Sequence, residues 1–386
     1  MASLSPSQSE SDNYDIHPLV ALKRRIAALE EENADLRVHR LTVKKCESNV
    51  YYGRSIRRLV CLTERVEDLV AEFDRRIGLG AANESDADIM DSDNPEENRR
   101  YRSFKKLMIW CPSVCKLLRS SAEHETLAFA YNKLNESSDG ARGDDSAGLK
   151  RAVADWLMEC TPTPNPPIHK QSKSGQGFYH DMTGRLLCPV DYNWSDPIVR
   201  ASIRDYHPDF RITACSWPSF LYKDGHYDPQ NPAKDLFKGE LLVKAFKRVF
   251  TSPSSTDEEQ AVDSVARSAL GRNSGERRTR RDVSTLLNMR SIQPRAIAYI
   301  SVQLRFALSS SGSWRVVDDE FNNQEFYDNI VDYLELPPTP EAAKEVDDIL
   351  LWWNRKVFGR KHVSDYRPQQ ANHMSVAMTL AKRCCP

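Results

Sequence analysis

Residues 294–308 have the sequence PRAIAYISVQLRFAL, and this stretch decides the fold class. Pro294 suits the first turn of a helix. Apolar residues then recur at helical spacing, at Ile297, Ile300, Leu304 and Leu308, which predicts a helix with a buried face. The same spacing returns in two later segments, at Phe326, Ile330, Val331 and Leu334 and at Val346, Ile349, Leu350, Trp353 and Val357. The last third of the chain therefore predicts a mainly α protein.

Helical periodicity also appears before this region. It covers residues 55–77, a stretch from near Arg100 to Pro112, and residues 122–134, 147–158 and 236–250. The run Gly140-Ala-Arg-Gly-Asp-Asp-Ser predicts a turn between the third and fourth of these helices. One of its last three residues, Asp144, Asp145 or Ser146, is expected to cap the helix that follows.

The middle of the chain has a different character. Residues 178–235 are rich in aromatic residues, Pro, Asp and His and contain few long periodic runs. We expect turns, a short helix after Asp196, and one or two short strands near residues 210–213 and 219–222. The predicted fold is thus mainly α, with an N-terminal coiled coil and a loop-rich, irregular middle that contains at most short strands.

The N-terminal coiled coil is predicted from a heptad run between Leu19 and Val43. Leu19, Ile26, Asn33 and Arg40 fall at position a, and Leu22, Leu29, Leu36 and Val43 fall at position d. A single Asn at an a position favours a two-stranded coil in register. Charges at g and e agree, since Arg25 would face Glu30 of a second chain. The pattern predicts a parallel homodimer.

Composition excludes several classes of protein. The chain has 386 residues and a net charge of -1 at pH 7, so it has no global field for nucleic acid or membrane. Its nine cysteines are odd in number and, apart from the adjacent Cys384 and Cys385, scattered singly, which suits a reducing compartment. No window approaches the roughly 20 apolar residues of a membrane span, and residues 1–15 lack the apolar core of a signal peptide. We expect an intracellular protein, cytoplasmic or nuclear.

Changes in composition along the chain suggest its domain organisation. Residues 81–98 carry seven acidic residues and no basic one, which is typical of a solvated linker. Residues 253–281 are polar enough to be a flexible insertion. The predicted units are a disordered tail (1–15), a coiled coil with an amphipathic helix (16–80), the acidic linker (81–98), a helical domain (99–360) that contains the insertion, and a second tail (361–386).

Several short motifs in the helical region carry a family resemblance. They are HDMTGRLLCP from His180, SWP from Ser216, LFKG from Leu236, FTSPSS from Phe250, IAYISVQLRFALSS from Ile297 and WWN from Trp352. Together they resemble an uncharacterised domain family that is expanded in mushroom-forming (agaricomycete) fungi and carries only an unknown-function label. The resemblance covers roughly residues 100–360 and implies neither an activity nor catalytic residues.

The pair His180-Asp181 is one candidate for chemistry, because metal-dependent phosphohydrolases use such a pair. Those sites also need further His and Asp ligands on neighbouring helices, and the sequence shows no such series. Arg185 and His207 complete the set of candidate catalytic groups. The alternative is structural: we expect Asp181 to accept backbone N–H groups of the turn at residues 183–184.

Metal and cofactor motifs are missing from the sequence pattern. Structural zinc sites show paired ligands a few residues apart, whereas the available candidates are isolated, at Cys188, His207, Cys215 and His226. The sequence therefore predicts no metal and no cofactor.

Two clusters are candidates for binding, each with a structural alternative. A compact basic cluster lies in the predicted insertion, at Arg277, Arg278, Arg280 and Arg281, where it would serve nuclear import, a phosphate contact or simply a solvated surface. An aromatic cluster either packs in the core or lines a groove for a base or another ligand, and consists of Trp194, Tyr206, Trp217, Phe220, Tyr222 and Tyr227.

These observations favour a homodimerising protein that binds another macromolecule without catalysis. One alternative is an enzyme with its site in residues 178–235. Another is a nucleic-acid-associated nuclear protein that uses the basic cluster at 277–281. An enzyme requires polar side chains that converge in one concave pocket, whereas a binding module requires an exposed apolar or charged surface.

The heptad predicts the mass of the protein in solution. Light scattering on the whole chain should give the mass of a dimer. Asn33→Leu should strengthen the apolar seam and loosen the specificity of its register, because the polar a residue selects the paired state at some cost in stability. A monomeric mass for the whole chain would contradict the coiled-coil interpretation.

Overall fold

A computed structural model describes residue 29 and residues 50–78, 94–119, 124–251 and 282–359. The predicted mainly α fold is confirmed: the described parts are dominated by helices and contain two short strands. The predicted coiled coil lies outside the described residues except for Leu29, which is helical. The predicted insertion at 253–281 and the basic cluster also lie outside them.

Four helices form the N-terminal part of the described structure. They are α1 (residues 50–59), α2 (Val66–Gly78), α3 (Pro95–Trp110) and α4 (Pro112–Arg119). The prediction of one helix over residues 55–77 was wrong, because the chain turns between α1 and α2. The Asn135 side chain accepts a hydrogen bond from the Val66 backbone N–H at 3.1 Å and so caps α2 from another helix.

Helix α3 begins inside the segment that was predicted to be an acidic linker. Asn94 accepts hydrogen bonds from the backbone N–H groups of Glu96 and Glu97, and Pro95 occupies the first turn. This is an N-cap followed by proline, the usual start of a helix. Residues 95–98 therefore belong to a helix rather than to a linker.

Helix α5 (His124–Met158) is 35 residues long and passes without a break through the predicted turn at 140–146. The prediction of two separate helices was wrong, and so was the capping role for Asp144 or Asp145. Both carboxylates bind arginines of α1 instead, Asp144 with Arg54 at 2.9 Å and Asp145 with Arg58 at 2.7 Å. These contacts offset the cost of about 1 kcal/mol that each glycine brings to a helix interior.

Short helices lie in and after the irregular middle, and the one predicted after Asp196 is confirmed. They are α6 (Asp181–Leu187), α7 (Pro197–Arg204), α8 (Glu240–Phe250) and α9 (Val283–Leu286), with single 3-10 turns between some of them. Asp196 caps α7, as expected for a helix after that residue. The strands expected near 210–213 and 219–222 were wrong: 3-10 turns occupy Pro208–Phe210 and Ser219–Leu221. Only isolated bridges form here, Pro189 with Pro218 and Tyr222 with Leu236.

Helix α10 (Pro294–Leu308) lies at the centre of the molecule, and every residue from Arg295 to Leu308 is buried. It packs against α5, α6, α8 and the following helix. Beyond α10 come a small antiparallel hairpin, β1 (Val317–Asp318) with β2 (Phe321–Asn322), then α11 (Asn323–Glu335) and α12 (Pro340–Phe358). Thr339 caps α12, and Trp353 is fully buried in the core.

Buried polar contacts join α10 to α1 and α5 on one side and to α11 on another. The Arg58 guanidinium donates to both carboxylate oxygens of Asp145, at 2.7 and 2.8 Å, and the Tyr299 hydroxyl donates to the same carboxylate at 2.8 Å. Arg295 donates to both oxygens of Glu335 at 3.0 Å. These groups are satisfied away from water, as buried charges require.

The Asp145 contacts predict a large and local stability effect. Asp145→Ala should lower the free energy of unfolding by about 3–5 kcal/mol, because it leaves the buried Arg58 cation without its partner. Chemical denaturation measures this change directly. Asp144→Ala is the matched control, since the neighbouring carboxylate is 69% exposed and an exposed ion pair contributes about 0.2–1 kcal/mol. Equal losses in the two variants would contradict the buried network.

Candidate functional site

His180 and Asp181 lie at the start of α6 and have different hydrogen-bond partners. His180 is buried, its Nδ1 accepts a hydrogen bond from the Met182 backbone N–H at 3.1 Å, and its Nε2 lies 2.7 Å from the Pro166 carbonyl oxygen. A carbonyl can only accept, so Nε2 carries the proton and Nδ1 does not. Both ring nitrogens are therefore engaged in holding the helix start to the proline-rich connector.

Asp181 does not order the turn at 183–184 as expected. It is exposed, and its Oδ1 accepts a hydrogen bond from Arg204 at 3.4 Å. The capping role belongs to its neighbour His180. The physical reason is position: His180 has extended backbone dihedrals before the first helical residue, whereas Asp181 is already inside the helix, where its side chain points away from the free N–H groups.

The other two candidate catalytic groups lie apart from this pair. Arg185 is exposed on α6. His207 is exposed and accepts a hydrogen bond from the Asp209 backbone N–H at 3.3 Å, so it caps the 3-10 turn Pro208–Phe210. The structure does not bring these side chains to one common cavity with His180 and Asp181.

The predicted aromatic cluster divides between the core and the surface. Trp194, Phe220 and Tyr222 are buried, Trp217 and Tyr227 are partly buried, and Tyr206 is 57% exposed. Tyr206 lines a separate cleft. Three of the six residues, Trp217, Tyr222 and Tyr227, line a single open groove.

We call this surface the aromatic groove and define it by Trp217, Tyr222, Tyr227 and Tyr333, with prolines 232, 337 and 338. Its volume is about 570 Å³, within the range of roughly 300–1,000 Å³ that ligand sites occupy. Trp217 and Tyr333 meet edge to face with ring centroids 5.8 Å apart, and Tyr222 and Tyr227 do the same at 5.5 Å. Such edge-to-face pairs hold aromatic rings in defined orientations.

Short backbone contacts position the walls of the groove. The Val190 backbone N–H donates to the Trp217 carbonyl at 3.1 Å, and the Gly239 N–H donates to the Leu221 carbonyl at 3.3 Å. At Gly239 the backbone of Phe220 comes so close that a Cβ atom would lie 1.9 Å from the Phe220 carbonyl oxygen. Only glycine fits there, which explains how the chain passes so near the wall that carries Tyr222.

The charge of the groove is acidic. Asp191 and Glu345 line it, and no Lys, Arg or His is among its described lining residues. Burial, reinforced by the Glu345 carboxylate, raises the pKa of Tyr333. The Tyr333 hydroxyl therefore stays protonated at neutral pH and can donate a hydrogen bond. The groove thus offers aromatic faces, a hydroxyl donor and negative charge.

A family model described as a family of unknown function, DUF6698, matches residues 136–358, more than half of the chain. The chain belongs to this family. The matched part of this DUF6698 protein includes α10 and the whole aromatic groove, whereas α1–α4 precede it. No curated protein matches the chain, and no solved structure does.

The described residues contain neither a metal-binding cluster nor a membrane-spanning helix. No group of three or more His, Cys, Asp or Glu side chains there is placed to hold a metal ion. None of the helices in the described ranges is both long enough and apolar enough to cross a bilayer.

Sequence reasoning missed two parts of the groove. Tyr333 and the pair Pro337-Pro338 lie more than 100 residues beyond Trp217 in the chain. Tyr333 follows Phe326 and Ile330 on α11, where it reads as one more apolar position. The available signal was Pro337-Pro338, because consecutive prolines after a helix predict an exposed, stiff segment.

Proposed function

We propose that this protein is a non-catalytic binding module, and that its aromatic groove holds an extended, proline-containing segment of a partner protein. The observation that carries the proposal is the pair of edge-to-face aromatic contacts that line one open groove. Grooves lined by aromatic residues recognise polyproline II segments, because that conformation is largely preformed and costs little entropy to bind.

Charge narrows the class of partner. Asp191 and Glu345 are exposed and have no basic neighbour among the described lining residues. A partner segment that carries Lys or Arg beside its prolines would complement them, whereas an acidic segment would be repelled. The preferred occupant is therefore a basic, proline-containing peptide.

Dimerisation extends the same proposal. The heptad at residues 19–43 would place two grooves in one particle, because a parallel coiled coil joins two copies of the chain. Two linked sites bind a partner with repeated motifs more tightly than either site alone. This support rests on the sequence pattern, since that segment lies outside the described residues except for Leu29.

Catalysis at His180 and Asp181 is not part of the proposal. The ring nitrogens of His180 are both engaged by backbone groups, and Asp181 lies at the surface with Arg204. A general base must reach a substrate proton, and the buried imidazole has no nitrogen left for that task.

Peptide binding tests the proposal. A labelled ten-residue peptide with six prolines and two arginines should bind the whole chain, and fluorescence anisotropy should report it. The same peptide with two glutamates in place of the arginines should bind at least about tenfold more weakly, because the groove carries only negative charge. Equal binding of the two peptides, or no binding of either, would contradict the proposal.

Matched variants locate the binding. Glu345→Lys should weaken the arginine peptide about tenfold, a loss of about 1.4 kcal/mol. Asp348→Lys is the control, because it also replaces an exposed carboxylate of α12 with a lysine. Asp348 does not line the groove. Tyr227→Ala should also weaken binding, since truncating an aromatic contact at a binding site typically costs more than about 1 kcal/mol. If all three variants bind like the wild type, the peptide occupies another surface.

A further inference from the structure

A second cavity opens on a different part of the irregular middle. It lies between the 3-10 turn Gly177–Tyr179, the end of α7 and the β1–β2 hairpin, and encloses about 70 Å³. Apolar side chains form much of its wall, and Arg305 of α10 reaches it from the core. We call it the Arg305 cleft. Ser309 and Ser310, which follow α10, also line it.

Arg305 is a buried cation with weak pairing. Its side chain is 8% exposed and stacks on the Phe321 ring, 3.3 Å from the centroid. Its ion-pair partner is Asp318, with Oδ2 3.7 Å from Nη1, and Asn323 Oδ1 accepts a hydrogen bond at 3.5 Å. Charge-assisted hydrogen bonds are normally about 2.7–2.9 Å. Burial lowers the pKa of Arg305 to about 10.

Arg58 and Arg295, two of the other buried arginines, show the contrast. Arg58 holds Asp145 with two bonds of 2.7 and 2.8 Å, and Arg295 holds Glu335 with two bonds of 3.0 Å. Both of these guanidinium groups use the planar fork that matches a carboxylate. Arg305 makes no such bidentate contact among the described residues. Its fork faces the cleft without a matching partner.

A second buried cation lies beside it. Lys173 is 4% exposed, and its ammonium contacts the Phe306 carbonyl, the Ser309 hydroxyl at 3.5 Å and the face of the Phe306 ring. No acidic side chain of the described chain lies within ion-pair distance of it. Burial, with the nearby charge of Lys150, lowers the pKa of Lys173 to about 7. Asp318 is thus the carboxylate that two buried cations share electrostatically.

The acidic groups at the mouth of the cleft are already engaged. Glu320 binds Arg211 through both carboxylate oxygens, with a shortest distance of 2.6 Å. Asp319 accepts a hydrogen bond from the Tyr206 hydroxyl at 3.3 Å. Arg211 therefore balances the charge of Glu320, and Asp319 keeps its negative charge at the mouth, whereas at the floor Arg305 and Lys173 together face one carboxylate, Asp318.

Two glycine- and serine-rich segments meet at this floor. The first, Lys173-Ser-Gly-Gln-Gly177, has positive φ angles at both glycines. A Cβ at Gly177 would lie 2.9 Å from the Ser310 backbone nitrogen. The second is Ser309-Ser-Ser-Gly-Ser313. Small residues let the two backbones approach. Hydroxyl groups and backbone N–H groups therefore lie close to the buried cations.

We propose that the Arg305 cleft binds a tetrahedral oxyanion, the phosphoryl group of a small phosphate ester. The Arg305 fork and the Ser310 hydroxyl are the direct donors, and Lys173 supplies charge from behind. The volume leaves room for a small anion, because a cavity holds one water molecule from about 10–15 Å³ upward and the cleft encloses about 70 Å³. The proposal is independent of the aromatic groove, since the two surfaces share no lining residue.

Calorimetric titration of the whole chain tests the proposal at constant ionic strength. Inorganic phosphate and glycerol phosphate are the probes, and acetate is the control for a planar anion. Phosphate and glycerol phosphate should bind at least tenfold more tightly than acetate. If phosphate does not bind, or acetate binds equally well, the proposal is wrong. Inorganic phosphate that binds while glycerol phosphate does not would overturn the ester and leave a site for the free ion.

Two exposed serines give a matched pair of variants that avoid the core. Ser310→Asp places a carboxylate at the cleft and should weaken phosphate at least tenfold. Ser313→Asp makes the same change three residues later, outside the lining, and should leave the affinity unchanged. Lys173→Met should weaken binding while keeping a side chain of similar length. Equal affinity of Ser310→Asp and wild type would place the anion elsewhere and overturn the proposal.

Discussion

One buried carboxylate holds the described helices in register. Asp145 of α5 receives two hydrogen bonds from Arg58 of α1 and one from the Tyr299 hydroxyl of α10. Burial lowers the pKa of Arg58, but the Asp145 charge acts against it and the pKa is raised. Burial also raises the pKa of Tyr299. A rotation of α1 or α5 by one residue would leave a charge buried without a partner, at a cost of several kcal/mol, and a rotation of α10 would leave the buried Tyr299 hydroxyl without its acceptor. The network therefore favours one packing of the helices over its neighbours.

The same constraint explains how α10 can be buried on all sides. A helix that is apolar all round is typical of the core of a protein, yet α10 also carries Arg295, Gln303 and Arg305. Arg295 is matched by Glu335, and Gln303 accepts a hydrogen bond from the Ser146 hydroxyl at 2.6 Å. The Gln303 amide nitrogen is buried without a partner among the described residues, and of the two arginines Arg305 is the one whose contacts are longer. Arg295 is therefore a structural cation, whereas Arg305 is a candidate for binding a ligand.

Sequence reasoning succeeded where the signal was local. The periodicity of α10, α11 and α12, the proline at each of two helix starts and the cap at Asp196 all depend on residues within a few positions of each other. It failed at α5, because two glycines and two aspartates within residues 140–146 are typical of a turn. The partner that makes Asp145 helical is Arg58, 87 residues away. Such a pairing has no local signature.

The candidate site shows the same limit. Trp217, Tyr222 and Tyr227 could be singled out from the sequence because aromatic residues are dense there, but density does not say which rings face the surface. Which rings border the groove depends on Tyr333 of α11 and on Pro337 and Pro338 just after that helix, because these residues form the rest of the lining. The walls thus combine an irregular segment with the end of a packed helix. Because the helical core and short backbone contacts hold both walls, a ligand would find the groove already shaped and would lose little affinity to ordering it.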